Sequence, residues 1–436
     1  MTAVVLILIC SIIGLILTVL LKPSARLPVI SATVSIYWLV PFVGALTIVL
    51  FRLLSLREVV SGLTASGDVN PLKILTLFLS MTFLSVFLDE AKFFSRLASL
   101  ILRKAGKNQV RFFLYLFFTV SILTIFTSND IIVLTFTPFL CYFSRRAKID
   151  PLPYFICEFA AANTFSMALM IGNPTNLYLS VSAGVDFGTY LSEMWLPTLF
   201  AGATVLLFLL LIFWKRLSIS MTNEAEREEE TPIDAGMLVI GLLHLVLCIV
   251  SLAISSYLPI PMWLLTLIFA VSLILSTLLY QMIRKIRSRI LIRSFGRLPF
   301  DIIPFVLSMF VLVLALDRYG VTDLLREFLS GKGTAFRYGF ASFLSSNVLN
   351  NIPMSVLYSP IIGGISDAAT RTTALYATVI GSNLGAFFTP IGALAGIMWS
   401  GMLKKYGVRL SFLDFVRYGA VLSIPALLAA VCGVLL

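Results

Sequence analysis

The sequence predicts an all-α polytopic membrane protein built from two inverted repeats. Of its 436 residues, 59% are hydrophobic and only 12% are charged, and the mean hydropathy is +1.02. Soluble domains carry about twice that fraction of charged residues. Polar side chains interrupt the apolar sequence at corresponding places in the two halves, which favours a binding site between two repeats.

Ten segments of about 20 apolar residues are long enough to cross a bilayer as helices. The first has no basic segment before it and no small-residue cleavage site after it, so we interpret it as a retained span and not as a signal peptide. The predicted spans are Ala3–Leu21, Val29–Phe51, Leu72–Leu88, Leu152–Leu179, Met194–Trp214, Ala235–Tyr257, Met262–Ile283, Phe300–Leu316, Thr373–Met402 and Phe412–Leu436.

Two further apolar segments, 112–143 and 335–362, are each split by polar residues. Lipid cannot satisfy freed backbone groups, so such a break requires surrounding protein or water. Each segment is either two crossings or one re-entrant hairpin, and the polar tips and short arms favour hairpins. The tip residues are Thr127, Ser128, Asn129 and Asp130 in the first segment and Asn347, Asn350 and Asn351 in the second.

The two tips occupy equivalent places when the halves are aligned. Setting Thr137-Pro138 over Ser359-Pro360 places Ser128-Asn129 over Asn350-Asn351. With hairpins, each half has five spans, and this odd number inverts the second half relative to the first. The predicted repeats are residues 1–216 and 234–436.

Lys and Arg residues collect in the loops of one face, which predicts a multi-pass protein of the cell membrane with that face in the cytoplasm and both termini outside. The hairpin 112–143 is then entered from the cytoplasmic side and the hairpin 335–362 from the outer side. An acidic, solvated linker, 217–233, joins the repeats on the cytoplasmic side.

The fourth and ninth predicted spans are each interrupted by glycine and proline, which weaken or break a helix. A break exposes half-helix ends, whose N-termini suit an anion and whose C-terminal carbonyls suit a cation. The polar tips and the residues at these breaks are therefore the predicted substrate- or ion-binding residues. At the breaks these are Asn163, Thr164, Asn173, Pro174, Thr175, Asn176, Ser382, Asn383, Thr389 and Pro390.

Two acids within predicted membrane segments are the candidates for ion coupling. An acid in the bilayer interior is costly unless it is paired or binds a cation, so Asp130 is a functional candidate, with the N-cap of the return helix as the alternative. Glu158 either lines an aqueous path or hydrogen-bonds at the cytoplasmic edge. No Lys or Arg falls within the predicted site. A multiply charged anion would therefore depend on helix dipoles, amides and co-bound cations, with Na⁺ at the hairpin tips as one such cation.

Other residue patterns exclude several classes of function. The five cysteines form no CxxC pair and His244 is the single histidine, so no metal centre is predicted. No cofactor is predicted either, and H⁺ or Na⁺ is the expected coupling ion. We expect His244 to hydrogen-bond within the helix bundle. The net charge of +11 reflects basic loops that set topology and does not predict nucleic-acid binding.

At these motifs the chain resembles the ion-transporter superfamily of arsenite permeases, citrate and dicarboxylate permeases and sodium/proton antiporters. The resemblance covers nearly the whole chain and implies a scaffold, an elevator-type transport domain and often a dimer. The Gly172–Asn176 run is closer to the carboxylate permeases, and Asn163 and Asn383 stand where arsenite permeases usually have acids. The resemblance is strongest to arsenical-pump membrane proteins at Phe87–Glu90, Ser128–Asp130, Phe343–Ser346, Asn350–Pro353 and Thr389–Trp399.

We therefore expect a secondary active transporter that moves a small oxyanion or carboxylate, coupled to H⁺ or Na⁺ through Asp130 and the asparagine-rich tips. A sodium/proton antiporter with Asp130 as a shared cation site is the alternative. A membrane-embedded enzyme is a remote alternative because the sequence shows no nucleophile, metal or acid/base cluster near one face. A channel is disfavoured because paired breaks in inverted repeats are typical of alternating access. The expected partners are a small inorganic or organic anion, the lipid bilayer and, from the resemblance, a second copy of the chain.

Overall fold

The computed structural model describes residues 1–21, 24–26, 33–64, 70–221, 234–255, 260–408 and 410–436. These residues form twenty α-helices, ten before the predicted linker and ten after it. The first ten are α1 Thr2–Leu21, α2 Leu39–Leu50, α3 Leu56–Leu63, α4 Pro71–Glu90, α5 Phe93–Ala105, α6 Gln109–Phe126, α7 Asn129–Ala147, α8 Leu152–Phe165, α9 Pro174–Ser182 and α10 Phe187–Leu217. The second ten are α11 Ala235–Ala253, α12 Met262–Arg284, α13 Ile290–Gly296, α14 Ile302–Arg318, α15 Val321–Leu329, α16 Thr334–Leu349, α17 Asn351–Gly363, α18 Ala368–Gly385, α19 Leu394–Lys405 and α20 Phe412–Val434.

The all-α class and the membrane-spanning character are confirmed. Within the described residues, six helices are long and apolar enough to cross a membrane alone, and the bent pair α14–α15 raises the number to seven. The six are α4, α6, α10, α11, α12 and α20. Residues 222–233, most of the predicted acidic linker, lie outside the described residues.

The second predicted span, Val29–Phe51, is wrong at Thr33–Ser35, and its residues 29–32 lie outside the described residues. Thr33–Ser35 forms a short strand, β2, that pairs antiparallel with β1, Ser24–Arg26, and α2 begins only at Leu39. This part of the sequence is rich in β-branched residues, which favour extended backbone. An apolar segment can form either a strand or a helix, so hydropathy alone does not distinguish the two in this part of the chain.

In both split segments the two helices run back along each other, which the re-entrant hairpin and the two-crossing alternative share, and α6 is itself long enough to cross a membrane. In the first, the rings of Phe112 near the start of α6 and Phe143 near the end of α7 lie 4.6 Å apart. In the second, the rings of Tyr338 on α16 and Tyr358 on α17 lie 6.4 Å apart, and the Tyr358 hydroxyl is 3.1 Å from Ser345 Oγ. The tips therefore lie at one end of each hairpin, with the remaining chain at the other end.

The predicted alignment of the tips corresponds to the helix boundaries. The return helix α7 begins at Asn129 after the N-cap Ser128, and α17 begins at Asn351 after the N-cap Asn350. Equivalent residues thus occupy the same capping positions in the two hairpins.

The two halves pack on each other through crossed pairs of helices. The return helix α7 of the first hairpin packs on α19, and α17 of the second hairpin packs on α9. In the same way α4 packs on α12, α14 packs on α2, and α10 packs along α20. Each half therefore completes the hydrophobic contacts of the other.

Helices α5 and α15 follow sharp turns after α4 and α14. α15 is bent by 81° from α14, and Gly320 with φ +72° begins it in a left-handed conformation that glycine adopts without strain. Asp317 accepts a hydrogen bond from Thr322 Oγ1 at 2.6 Å, while Asp89 at the end of α4 forms an ion pair of 2.6 Å with Arg297. These acids near the ends of spans stabilise the connecting arms.

Candidate functional site

The first hairpin tip contacts the first broken helix through paired amides. Asn129 is buried and its Nδ2 donates to Asn163 Oδ1 on α8 at 3.0 Å, while Asn163 Nδ2 donates to the Phe159 carbonyl at 2.8 Å. Thr127 and Ser128 are buried beside it, and the Thr127 hydroxyl donates to the Leu123 carbonyl at 2.7 Å. The tip is thereby fixed against α8.

Asp130 lies in the first turn of α7, but it is not the N-cap, so that alternative interpretation is wrong. The cap position belongs to Ser128, and the Asp130 amide donates to Asn129 Oδ1 at 2.9 Å. The side chain is half-buried, and no salt bridge among the described residues involves it. The partial positive charge at the N-terminus of a helix stabilises a carboxylate in its first turn. Since it has no salt-bridge partner among the described residues, the Asp130 carboxylate is also available to a cation.

The second tip contacts the second broken helix in the corresponding way. Asn347 Oδ1 accepts from the Thr389 amide at 3.1 Å and from its hydroxyl at 2.6 Å, and Asn347 Nδ2 donates to the Gly385 carbonyl at 3.0 Å. The Asn351 amide donates to the Gly392 carbonyl at 3.0 Å. Thr389 and Pro390 lie in the non-helical segment between α18 and α19.

Asn350 holds the second tip in an unusual backbone conformation. Its φ is 75° and its ψ is 152°, a region that side-chain-bearing residues rarely adopt. Its side chain stabilises the turn from both sides, since Oδ1 accepts from the Ile352 amide at 3.4 Å and Nδ2 donates to the Ile391 carbonyl at 3.2 Å. The tip is therefore fastened to the break by backbone and side chain together.

The two broken helices meet at their breaks around Asn383, which is fully buried. Its Oδ1 accepts from Ser166 Oγ at 2.8 Å and from Asn173 Nδ2 at 3.1 Å, and its Nδ2 donates to Asn176 Oδ1 at 2.6 Å. Ser166 Oγ also reaches the Asn163 carbonyl at 2.8 Å. This network connects both breaks to the first tip.

The remaining predicted residues surround this network. Pro174 is the first residue of α9 after its N-cap Asn173, and the Ser382 hydroxyl donates to Thr175 Oγ1 at 3.2 Å. Thr164 Oγ1 and Asn351 Oδ1 are buried without a protein hydrogen-bond partner. No hydrogen bond among the described residues joins the tips directly, and they are linked only through the breaks.

Glu158, on α8, lies apart from the tips and faces α7 and α19. It is fully buried, and the Thr137 hydroxyl is 3.0 and 3.1 Å from its two carboxylate oxygens. The indole of Trp399 faces the same carboxylate and stacks on Phe159 with ring centroids 4.9 Å apart. No salt bridge in the described part of the chain involves Glu158.

Small cavities lie where each tip meets a neighbouring long helix. Thr127, Ser128 and Asn173 face α4 across a cavity of about 10 Å³. Asn350 faces Tyr37 and α14 across a cavity of about 20 Å³. Both tips are therefore closely packed, with polar groups on the tip side.

Sequence reasoning missed three residues of this region. Ser166 joins the two breaks, and it could have been found because it is a polar residue shortly before Gly172-Asn173-Pro174. Tyr37 and Asp301 come from outside the hairpins, and the buried Tyr37 side chain lies near enough to Asp301 and Asp130 for their charges to act on its hydroxyl. Only the acid at the start of an apolar span gave a signal for Asp301. His244, in contrast, hydrogen-bonds to Ile240 and to Ser272 on α12, as expected.

Comparisons with known proteins assign the family. The profile of the family described as "Citrate transporter" (CitMHS) matches residues 29–375 and 300–435. An arsenical pump membrane protein of Yersinia enterocolitica is 25% identical over 380 residues, covering 82% of this chain and 85% of the relative. An uncharacterized transporter of Mycobacterium tuberculosis is 26% identical over 339 residues, covering 74% of this chain and 76% of the relative.

Solved structures show the same fold at lower sequence identity. The YdaH transporter of Alcanivorax borkumensis aligns with a TM-score of 0.55 at 16% identity, over 99% of this chain and 97% of that chain. MtrF of Neisseria gonorrhoeae, from a class of antimetabolite efflux pumps, aligns with a TM-score of 0.50 at 14% identity, over 99% and 94%. The chain belongs to the CitMHS citrate transporter family and is a multi-pass membrane transporter of the citrate-transporter and arsenical-pump type.

Proposed function

We propose that this chain is a secondary active transporter that carries a small oxyanion or carboxylate, coupled to H⁺ or Na⁺. The observation that carries the proposal is the docking of two hairpin tips onto the breaks of two helices, which meet at the buried Asn383. Broken helices and polar tips in corresponding halves are the usual architecture of a solute site in secondary transporters.

An elevator movement of an inverted-repeat protein fits the crossed packing. We assign both hairpins and both broken helices to the transport domain, and α1, α2, α4, α11, α12 and α14 to the scaffold. The transport domain is joined across the halves by the pairs α7–α19 and α17–α9, so it can move as one body. The repeats 1–216 and 234–436 and the elevator mechanism belong to this proposal.

The chemistry of the site supports a small anion bound together with a cation. Amide and hydroxyl groups line the breaks, and the N-terminus of α9 supplies a partial positive charge. The unpartnered oxygens Thr164 Oγ1 and Asn351 Oδ1 are of the ligand type that Na⁺ accepts. The names of the matched family and relatives, citrate transporter and arsenical pump, support a carboxylate or an oxyanion.

Asp130 and Glu158 are the proposed coupling groups. Both carboxylates are without a basic partner among the described residues, so each is free to exchange a cation during transport. This same observation favours the second candidate function, a sodium/proton antiporter that needs no anion and uses Asp130 as its cation site.

Purified protein in liposomes that contain a pH-sensitive dye tests the proposal. Sodium, arsenite and a panel of di- and tricarboxylates are added separately to wild type and to Asp130→Asn. A proton flux that requires an oxyanion or carboxylate and is lost in the variant is the expected result. A flux evoked by sodium alone would replace the anion proposal by the antiporter, and unchanged ion dependence in Asp130→Asn would remove its coupling role.

We further propose a homodimer with both termini on the outer side. Helices α11 and α12 are the least buried of the six long spans, which leaves apolar surface for a second copy of the chain or for lipid. Cross-linking in native membranes distinguishes the two, and protease protection of tags on each terminus tests the orientation.

A further inference from the structure

A groove between α4 and α9 leads from the molecular surface toward the site. Its mouth is a cavity of about 220 Å³ at the end of the molecule where α4 begins and α9 ends. Lys73 and Leu77 line it on α4, Val181 lines it on α9, and Asp186 and the start of α12 at Met262 complete its wall. Since each water molecule occupies about 30 Å³ of the liquid, this mouth holds several water molecules.

The groove continues to the first hairpin tip. Leu77 also lines the cavity of about 10 Å³ that borders Thr127, Ser128 and Asn173. Along α4, the lining residues Lys73, Leu77, Met81 and Ser85 are spaced by four and therefore lie on one face of the helix. Leu177 and Val181 are likewise one turn apart on α9. The two cavities are thus two levels of the same groove, and the apolar side chains of Leu77, Met81 and Leu177 narrow it between them.

Charge favours an anion at the inner end of the groove. The mouth carries one basic and one acidic side chain, Lys73 and Asp186, and the Asp186 carboxylate caps α10 by accepting from the Thr189 amide at 3.0 Å and its hydroxyl at 2.6 Å. At the inner end, Asn173 caps α9, and the N-terminal end of that helix is electropositive.

We propose that the groove between α4 and α9 is the path by which a small anionic solute enters the site, with Leu77 as its constriction. The identity of the solute rests on the proposed transport function. The access of water to the groove is independent of that function.

Cysteine accessibility tests the path in the full-length protein in liposomes. Leu77→Cys and Val181→Cys are introduced after the exposed Cys10 and Cys432 are replaced by alanine, and a charged methanethiosulfonate is added on both sides. The control is Ile268→Cys. The control is matched to Leu77 by its place along the helix, since Leu77 and Ile268 both lie six residues after the first residue of their helices, α4 and α12. Ile268 differs in that it lies on the outer apolar surface. Val181→Cys, at a partly exposed position, keeps the test decisive if Leu77→Cys does not fold.

The expected result is modification of the cysteines at 77 and 181, no modification at 268, and loss of anion uptake after modification at 77. If positions 77 and 181 are as unreactive as 268, the groove is not a water path. If they react fully while uptake stays unchanged, water enters the groove but the solute does not. If the unmodified protein transports no anion of the panel, the transport proposal fails, and the labelling still decides whether water enters the groove.

Discussion

Replacing Asn383 by alanine removes the centre of the hydrogen-bond network between the two broken helices. Three hydrogen bonds to Ser166, Asn173 and Asn176 are lost. Interhelical hydrogen bonds in membrane proteins contribute about 0.6 kcal/mol each, which gives about 2 kcal/mol. Asn173 Nδ2 has no other hydrogen-bond acceptor among the described residues, and an orphaned buried donor costs about 1–3 kcal/mol more. We therefore expect the free energy of unfolding to fall by about 3–5 kcal/mol.

The assay is equilibrium unfolding of the purified protein in detergent, followed by solute uptake in liposomes. The matched control is Thr372→Ala on the same helix, since the exposed Thr372 hydroxyl bonds only to the Ala368 carbonyl within that helix. Asn383→Asp adds a second test. It keeps the acceptor oxygen but donates to Asn176 only when protonated, so uptake by this variant is expected to rise as the pH falls.

The reasoning is refuted if Asn383→Ala unfolds with the same free energy as Thr372→Ala and transports at the wild-type rate. In that case the breaks are held together by packing, and the amide network contributes neither stability nor geometry to the site. Loss of transport without loss of stability would support a direct contact of Asn383 with the solute and would also contradict the predicted magnitude.

Three further changes give separate tests. Gly392→Ala places a Cβ 2.6 Å from a backbone carbonyl oxygen, so uptake should fall and the free energy of unfolding should decrease by about 1–3 kcal/mol. The control is Gly401→Ala, whose Cβ meets no atom within 4 Å and which should behave as wild type. Arg297→Gln removes the ion-pair partner of Asp89, whose side chain is 9% exposed, whereas that of Arg297 is 37% exposed. A thermal melt should show that the variant loses about 1–2 kcal/mol of unfolding free energy relative to wild type, and that high salt makes this difference smaller. Glu158→Gln mimics the protonated acid and still accepts a hydrogen bond, so the protein should fold and bind solute while the pH dependence of uptake becomes flat; an unchanged pH profile would exclude Glu158 from coupling.

Much of the site could be predicted from the sequence because polar residues in an apolar chain are conspicuous. The tips at 127–130 and 347–351 and the breaks near Asn173 and Thr389 were all identified by composition and by proline and glycine. Ser166 could have been found from its place shortly before Gly172-Asn173-Pro174. Tyr37 escaped because a tyrosine before a helix is ordinary in membrane proteins, and only spatial neighbours give it a role.

The sequence alone determined the all-helical membrane class, the two antiparallel helix pairs with polar tips, the two broken helices and the residues at their polar ends, because each depends on local hydropathy and on backbone restrictions of proline and glycine. The tertiary structure decided which groups meet: Asn129 with Asn163, Asn347 with Thr389, and Asn383 with Asn176. It also decided that Ser128, and not Asp130, takes the N-cap position of the return helix. These outcomes depend on contacts between residues far apart in the chain and on competition between nearby groups, and no local pattern encodes them.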